Sequence, residues 1–82
     1  MNRDHILFHL HEAQEELERM ITKIEVESKY DFGEFVVAMS HLYHHINTAW
    51  NGRDVSSQRA VKCNKEDFAR WRQFPQDIDL SA

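Results

Sequence analysis

Six histidines stand in this chain of 82 residues, and they fall into two clusters. His5, His9 and His11 lie near the start, and His41, His44 and His45 lie just past the middle. Imidazole is a common ligand for divalent transition metals, and two imidazoles four residues apart share one face of a helix. His41 and His45 have that spacing and are the candidate metal ligands. His44 points about 100° away from His45 on the same helix. In the first cluster, His5, His9, Glu12 and Glu16 follow a spacing of four, three and four and form a second polar stripe.

Known metal motifs do not complete here. Di-iron bundles carry a glutamate three residues before the histidine. The residues three before His9, His44 and His45 are Ile6, His41 and Leu42. His11-Glu12-Ala13-Gln14 begins like a zinc-protease helix, but Glu15 stands where the second histidine belongs. On an ideal helix wheel His41 lies roughly 150° from the centre of the apolar face, which places it in water. Solvated or interface histidines are therefore the expectation, and no cofactor is assigned. A site for a divalent transition metal is the alternative. The His5-His9-Glu12-Glu16 stripe reads as the polar edge of a helix-helix interface, with a binding groove as its alternative.

Other chemistry has less support. Cys63 lies beside Lys62 and near Lys65, and positive charge can lower a thiol pKa, yet no paired base follows from the spacing. Only Gly33 and Gly52 are present, so there is no glycine-rich phosphate loop. Residues 59–74 interleave Arg59, Lys62, Lys65, Arg70 and Arg72 with Phe68, Trp71 and Phe74. Such a segment can stack on nucleic acid or dock on an acidic protein surface. The chain supplies an acidic surface itself, since residues 1–30 hold four basic against seven acidic groups. Docking on the chain's own hairpin is thus the favoured reading for Phe68, Arg70, Trp71, Arg72 and Phe74. A partner protein comes second, and nucleic acid is not expected.

Two helices must carry the histidines. Ile6, Leu10, Ala13, Leu17, Met20 and Ile24 repeat at four and three, as do Phe32, Val36, Met39, Tyr43, Ile46 and Trp50. This heptad register predicts two helices packed lengthwise along those residues, with Leu17 and Ile46 in the core. The first should run from Asn2 or Asp4 to about Lys29, braced by Glu15–Arg19 and Glu25–Lys29 pairs. Asp31 should cap the second, with Glu34 completing a capping box, and Gly52 should end it as a left-handed cap. Phe35, Leu42 and Ala49 widen the second helix's stripe beyond what one neighbour covers. Residues 53–59 read as loop, with a brief ordered piece near Ala60 and Val61. Asn64 should cap a short helix reaching about Gln73, and Pro75 stops it. Residues 76–82 read as an extended strap.

The expected fold is all-α: an antiparallel helical hairpin over residues 1–52, then a loop, short helix and strap over 53–82 packed on it as one domain. A lone hairpin of this size buries little, so two copies are expected to pair into a four-helix bundle. No apolar run approaches the roughly 18 residues of a membrane span, and the N-terminus lacks a leader-like apolar region. One cysteine excludes an internal disulfide and fits a reducing compartment such as the cytoplasm. The expected function is a non-enzymatic interaction or assembly module acting as a homodimer, with room for a protein partner. A histidine-rich metal-binding bundle is the alternative.

Overall fold

The computed structural model describes residues 1–81 and is all-helical over them. Four helices follow in order: α1 (Arg3–Val26), α2 (Phe32–Asn51), α3 (Ser57–Lys62) and α4 (Lys65–Trp71). The long pair α1 and α2 packs as an antiparallel hairpin, and α4 packs on α2. None of these helices is long and apolar enough to cross a membrane.

Local chemistry sets the helix ends. The Asn2 side chain accepts from the His5 backbone N–H and opens α1. Asn2 also donates from its backbone to the Arg53 carbonyl and from its side chain to the Val55 carbonyl, tying the two chain ends of the hairpin together. Asp31 and Glu34 form the full capping box of α2. α1 ends at Val26, three residues short of the expected Lys29, because the chain must leave helical geometry at Glu27 to reverse before Asp31. Lys29 therefore lies outside the helix, so the Glu25–Lys29 helix pair does not form.

Residues 53–59 are not a plain loop. Ser56 caps a six-residue helix, α3, by accepting from the Arg59 N–H, and Cys63 closes it in the left-handed region at φ 38°. Gly52 has φ −100° and is not the left-handed cap expected of it. It is needed for closeness instead: a Cβ there would lie 2.6 Å from His5 Nε2 and 3.1 Å from the Thr48 carbonyl oxygen. Asn64 caps α4, which stops at Trp71 with Arg72 as its C-cap and does not reach Gln73. The strap beyond it is held by Trp50 Nε1 and Arg53, which both donate to the Asp77 carboxylate; residue 82 of the strap lies outside the described residues.

The contact line of the hairpin keeps Ala13, Met20 and Met39 of the expected seam and leaves out the seam's other large residues. Ala13, Met20 and Leu42 form the core, flanked by Tyr30, Ala38 and Met39. Leu10, Leu17 and Ile24 on α1 stay 45–50% exposed, and Val36, Tyr43 and Ile46 on α2 stay 42–44% exposed. The buried line on α1 holds Ala13, Glu16 and Met20, and that on α2 holds Leu42, His45, Thr48 and Ala49. Hydrogen-bonding groups share the space between the helices with Ala13, Met20 and Leu42. At 100° per residue, the apolar stripes lie about a quarter-turn from that line. Because the helices are antiparallel, both stripes turn to the same side of the hairpin. α4 sits on the other side, near the open end, where Trp71 is only 4% exposed.

Candidate functional site: a carboxylate and three imidazoles between the helices

The polar part of the hairpin seam is a continuous chain of side chains. Glu16 Oε2 lies 2.9 Å from His41 Nδ1. His41 Nε2 lies 3.1 Å from His45 Nε2, and His45 Nδ1 lies 3.0 Å from His9 Nδ1. Each contact joins one helix to the other or spans one turn of α2. The carboxylate only accepts, so His41 donates to it from Nδ1. In a neutral His41 ring, Nε2 then accepts. His45 therefore donates from Nε2, and its own Nδ1 accepts from His9 Nδ1–H. Three neutral imidazoles satisfy this pattern. Arg19 donates to the same oxygen of Glu16 at 2.7 Å and fixes the carboxylate from outside.

Burial favours the neutral rings. Desolvation pushes His9 down to about 4, helped by neighbouring His5, His45 and His44. Desolvation also lowers His45, then His41 does, while the carboxylates of Glu12 and Glu16 act in the opposite direction. His44 is lowered by desolvation, then by His45, Arg72 and His41. His5 is lowered by desolvation, which the nearby Thr48 backbone partly offsets.

The sequence-derived candidates sort as follows. His41 is not left in water on the far side of α2. Its side chain is 50% exposed and bonded through both ring nitrogens. The wheel placed it wrongly because it was centred on the apolar stripe and not on the contact line. His9 and Glu16 from the α1 stripe join His41 and His45. Glu12 is half-buried on the same stripe, between them. His5 lies at the open end, its ring 5.6 Å from that of Trp71 and its Nε2 buried without a partner. His44 turns from the chain to Phe68, 5.1 Å between ring centroids, and its Nδ1 is buried without a partner. His11 is exposed. Toward the turn, Glu16 and His41 border an open groove of about 570 Å³, lined also by Arg19, Lys23, Tyr30 and Glu34. Among the described residues no group of three or more His, Cys, Asp or Glu converges in a geometry ready to hold a metal ion.

The C-terminal candidates act mostly within the chain. Trp71 is buried, and its carbonyl accepts from Asn51; the Arg72 carbonyl accepts from Asn47. Phe74 meets Tyr43 at 5.1 Å. Arg70 and Arg72 do not reach the acids of α1 that charge alone selects for them. Arg70 bonds Asp67 at 2.7 Å, and the Arg72 guanidinium lies 5.2 Å over the Phe68 ring. Arg70 is one turn from Asp67 on its own short helix, so the nearer acid captures it.

Sequence reasoning missed a second polar cluster. Asp67 is 2% exposed and accepts from Arg59 Nε and Nη2 as well as from Arg70. Its position as the third residue of α4 showed only its backbone role, the N–H that donates to Asn64. Asn47 and Asn51 were missed too, although their spacing of four puts both amides on the face that meets α4. No known protein family, curated protein or solved structure matches this chain.

Proposed function

We propose that this protein is a non-enzymatic assembly module whose working unit is a homodimer, formed by pairing two hairpins through their apolar faces into a four-helix bundle. One observation carries the reading. Leu10, Leu17, Ile21 and Ile24 of α1 and Phe35, Val36 and Ile46 of α2 turn to one side and stay 37–50% exposed. A contiguous exposed apolar face built from two helices marks an interaction surface when it is larger than the scattered apolar residues of an ordinary surface. The occupant is a second copy because the chain's own core is small. Its buried hydrophobic residues among those described are Ala13, Met20, Leu42, Ala49 and Trp71, and two of these are alanines. A single hairpin with that core is marginal, and a symmetric partner supplies the missing burial. Neither stripe contains a charge between its ends, so two acidic hairpins can approach on this side without opposing like charges. The lone exposed Cys63 suits a reducing compartment such as the cytoplasm.

Sedimentation velocity at micromolar concentration tests this. The expected mass is about twice the 9.8 kDa of one chain, and Leu17→Glu or Ile46→Glu should return it to one. A folded monomer at tens of micromolar overturns the dimer and assigns the face to a helical partner protein.

A further inference from the structure

The geometry points to a divalent transition-metal site on the hairpin, held by Nε2 of His41 and Nε2 of His45, with the Glu12 carboxylate as third protein donor after a side-chain rotation. The two nitrogens lie 3.1 Å apart. Ligands at about 2.0–2.1 Å from a zinc-type ion sit about 3.0–3.4 Å from each other, so the pair already has the spacing of neighbouring donors. His41 is half-exposed, which gives an ion a way in from water.

The far side of each ring is already held. Metal-bound imidazoles keep their orientation when the other ring nitrogen bonds a carboxylate or another acceptor. Glu16 takes the Nδ1–H of His41 at 2.9 Å, and His9 faces Nδ1 of His45 at 3.0 Å. Loading an ion releases no proton from the imidazoles. The proton on His45 Nε2 shifts to its Nδ1, and the bond to His9 reverses. His9 then carries its proton on Nε2 and accepts at Nδ1. The three rings hold three protons before and after, and burial of His9 and His45 favours their neutral forms in both arrangements.

Glu12 is the third donor by position. It lies on the α1 stripe between His9, which meets His45, and Glu16, which meets His41. It is half-buried, no hydrogen bond among the described residues engages its carboxylate, and its charge already acts on His45. Two nitrogens and one carboxylate suit zinc, nickel, cobalt or iron better than calcium or magnesium, which favour all-oxygen sets. Water fills the remaining positions.

Isothermal titration of the full, tag-free chain with Zn²⁺ tests the site, with Co²⁺ absorption as the second readout. One ion per chain is expected. His41→Ala and His45→Ala should each weaken binding by at least roughly tenfold, and Glu16→Gln should weaken it by about tenfold through ring orientation alone. Glu12→Gln, at a half-exposed position that tolerates the change, should also weaken Zn²⁺ binding and shift the Co²⁺ spectrum. His11→Ala should change nothing. Absence of one-to-one binding, or binding that survives loss of both His41 and His45, overturns the site. Unchanged affinity in Glu12→Gln overturns the third donor. The site does not rest on the dimer: a chain that sediments as a monomer yet takes one ion refutes only the pairing.

Discussion

Gly52 and His5 approach so closely that no side chain fits between them, since a Cβ at position 52 would stand 2.6 Å from the His5 ring nitrogen. His5 cannot simply swing aside, because its ring packs against those of His9 and Trp71. Gly52→Ala should therefore destabilise the protein by about 1–3 kcal/mol, the range of overpacked sites. Denaturant melts of Gly52→Ala in the wild-type and His5→Ala backgrounds check the cause. The penalty should shrink when the ring is gone; an equal penalty in both would place the strain at the Thr48 carbonyl instead.

The hairpin core is carried by Met20 and Leu42, at 5% and 9% exposure. Met20→Ala and Leu42→Ala should each cost about 2–5 kcal/mol. Leu17→Ala and Ile46→Ala should instead act on self-association, with melting temperatures that depend on protein concentration more than on the hairpin itself. Melts over a hundredfold concentration range separate the two classes. A large, concentration-independent loss for Leu17→Ala would put Leu17 in the core beside Met20.

Removing the C-terminal segment should be costly. Trp71 is buried, and the Trp71 and Arg72 carbonyls hold the amides of Asn51 and Asn47. Trp71→Ala should destabilise by about 3–5 kcal/mol. Truncation after Gly52 should lower the melting temperature markedly and raise binding of the dye ANS. An unchanged melt would mean that α4 contributes no net stability.

Acid should loosen the α3–α4 corner. Hydrogen bonding from Arg59, with its charge and that of Arg70, holds the Asp67 carboxyl below its ordinary value against the effect of desolvation. A depressed folded value means the stabilisation is complete above the unfolded carboxyl value near 3.8. It is lost as pH falls through the lower folded value. Asp67→Asn should therefore be less stable than wild type at pH 6, and the gap should narrow toward pH 2. Urea midpoints across that range decide it; a gap that does not change with pH would leave the ion pairs out of the account.

The hydrogen-bond chain predicts tautomers that NMR can read. In metal-free protein at neutral pH, His9 and His41 should carry the proton on Nδ1 and His45 on Nε2. Long-range ¹⁵N–¹H spectra give each ring's pattern. Glu16→Gln should scramble it, because the amide can donate as well as accept. A His45 proton on Nδ1 in the metal-free state would contradict the direction set by Glu16.

Features encoded within four or five residues were legible in the sequence. The Asp31–Glu34 box and the Asn64 cap lie where their side chains say, because a cap is a local bond. The helical hairpin followed from its turn. The contact line followed only in part. Heptad reasoning placed Ala13, Met20 and Met39 in the core, but it put Leu17 and Ile46 on the same line, and these face outward while Glu16, His41, His45 and His9 bond across the seam. Only a register search that scored polar pairs between helices could have found them. α3 showed only as a brief ordered piece at Ala60 and Val61, because six residues are too few to show a period. Gly52 was misread because a close approach from position 5 leaves no trace in the residues around position 52.

The polar seam has a mechanical consequence. Two greasy helix faces can slide by a turn and still cover each other, so they specify alignment weakly. The two directional bonds that cross between the helices, His41 to Glu16 and His9 to His45, hold the observed alignment, and a slip of one turn would have to break both and remake them with Glu12 and His5. The two helices are thus keyed like a lock bolt, by a handful of polar atoms. That keying frees the large apolar side chains of the duty of aligning the chain with itself.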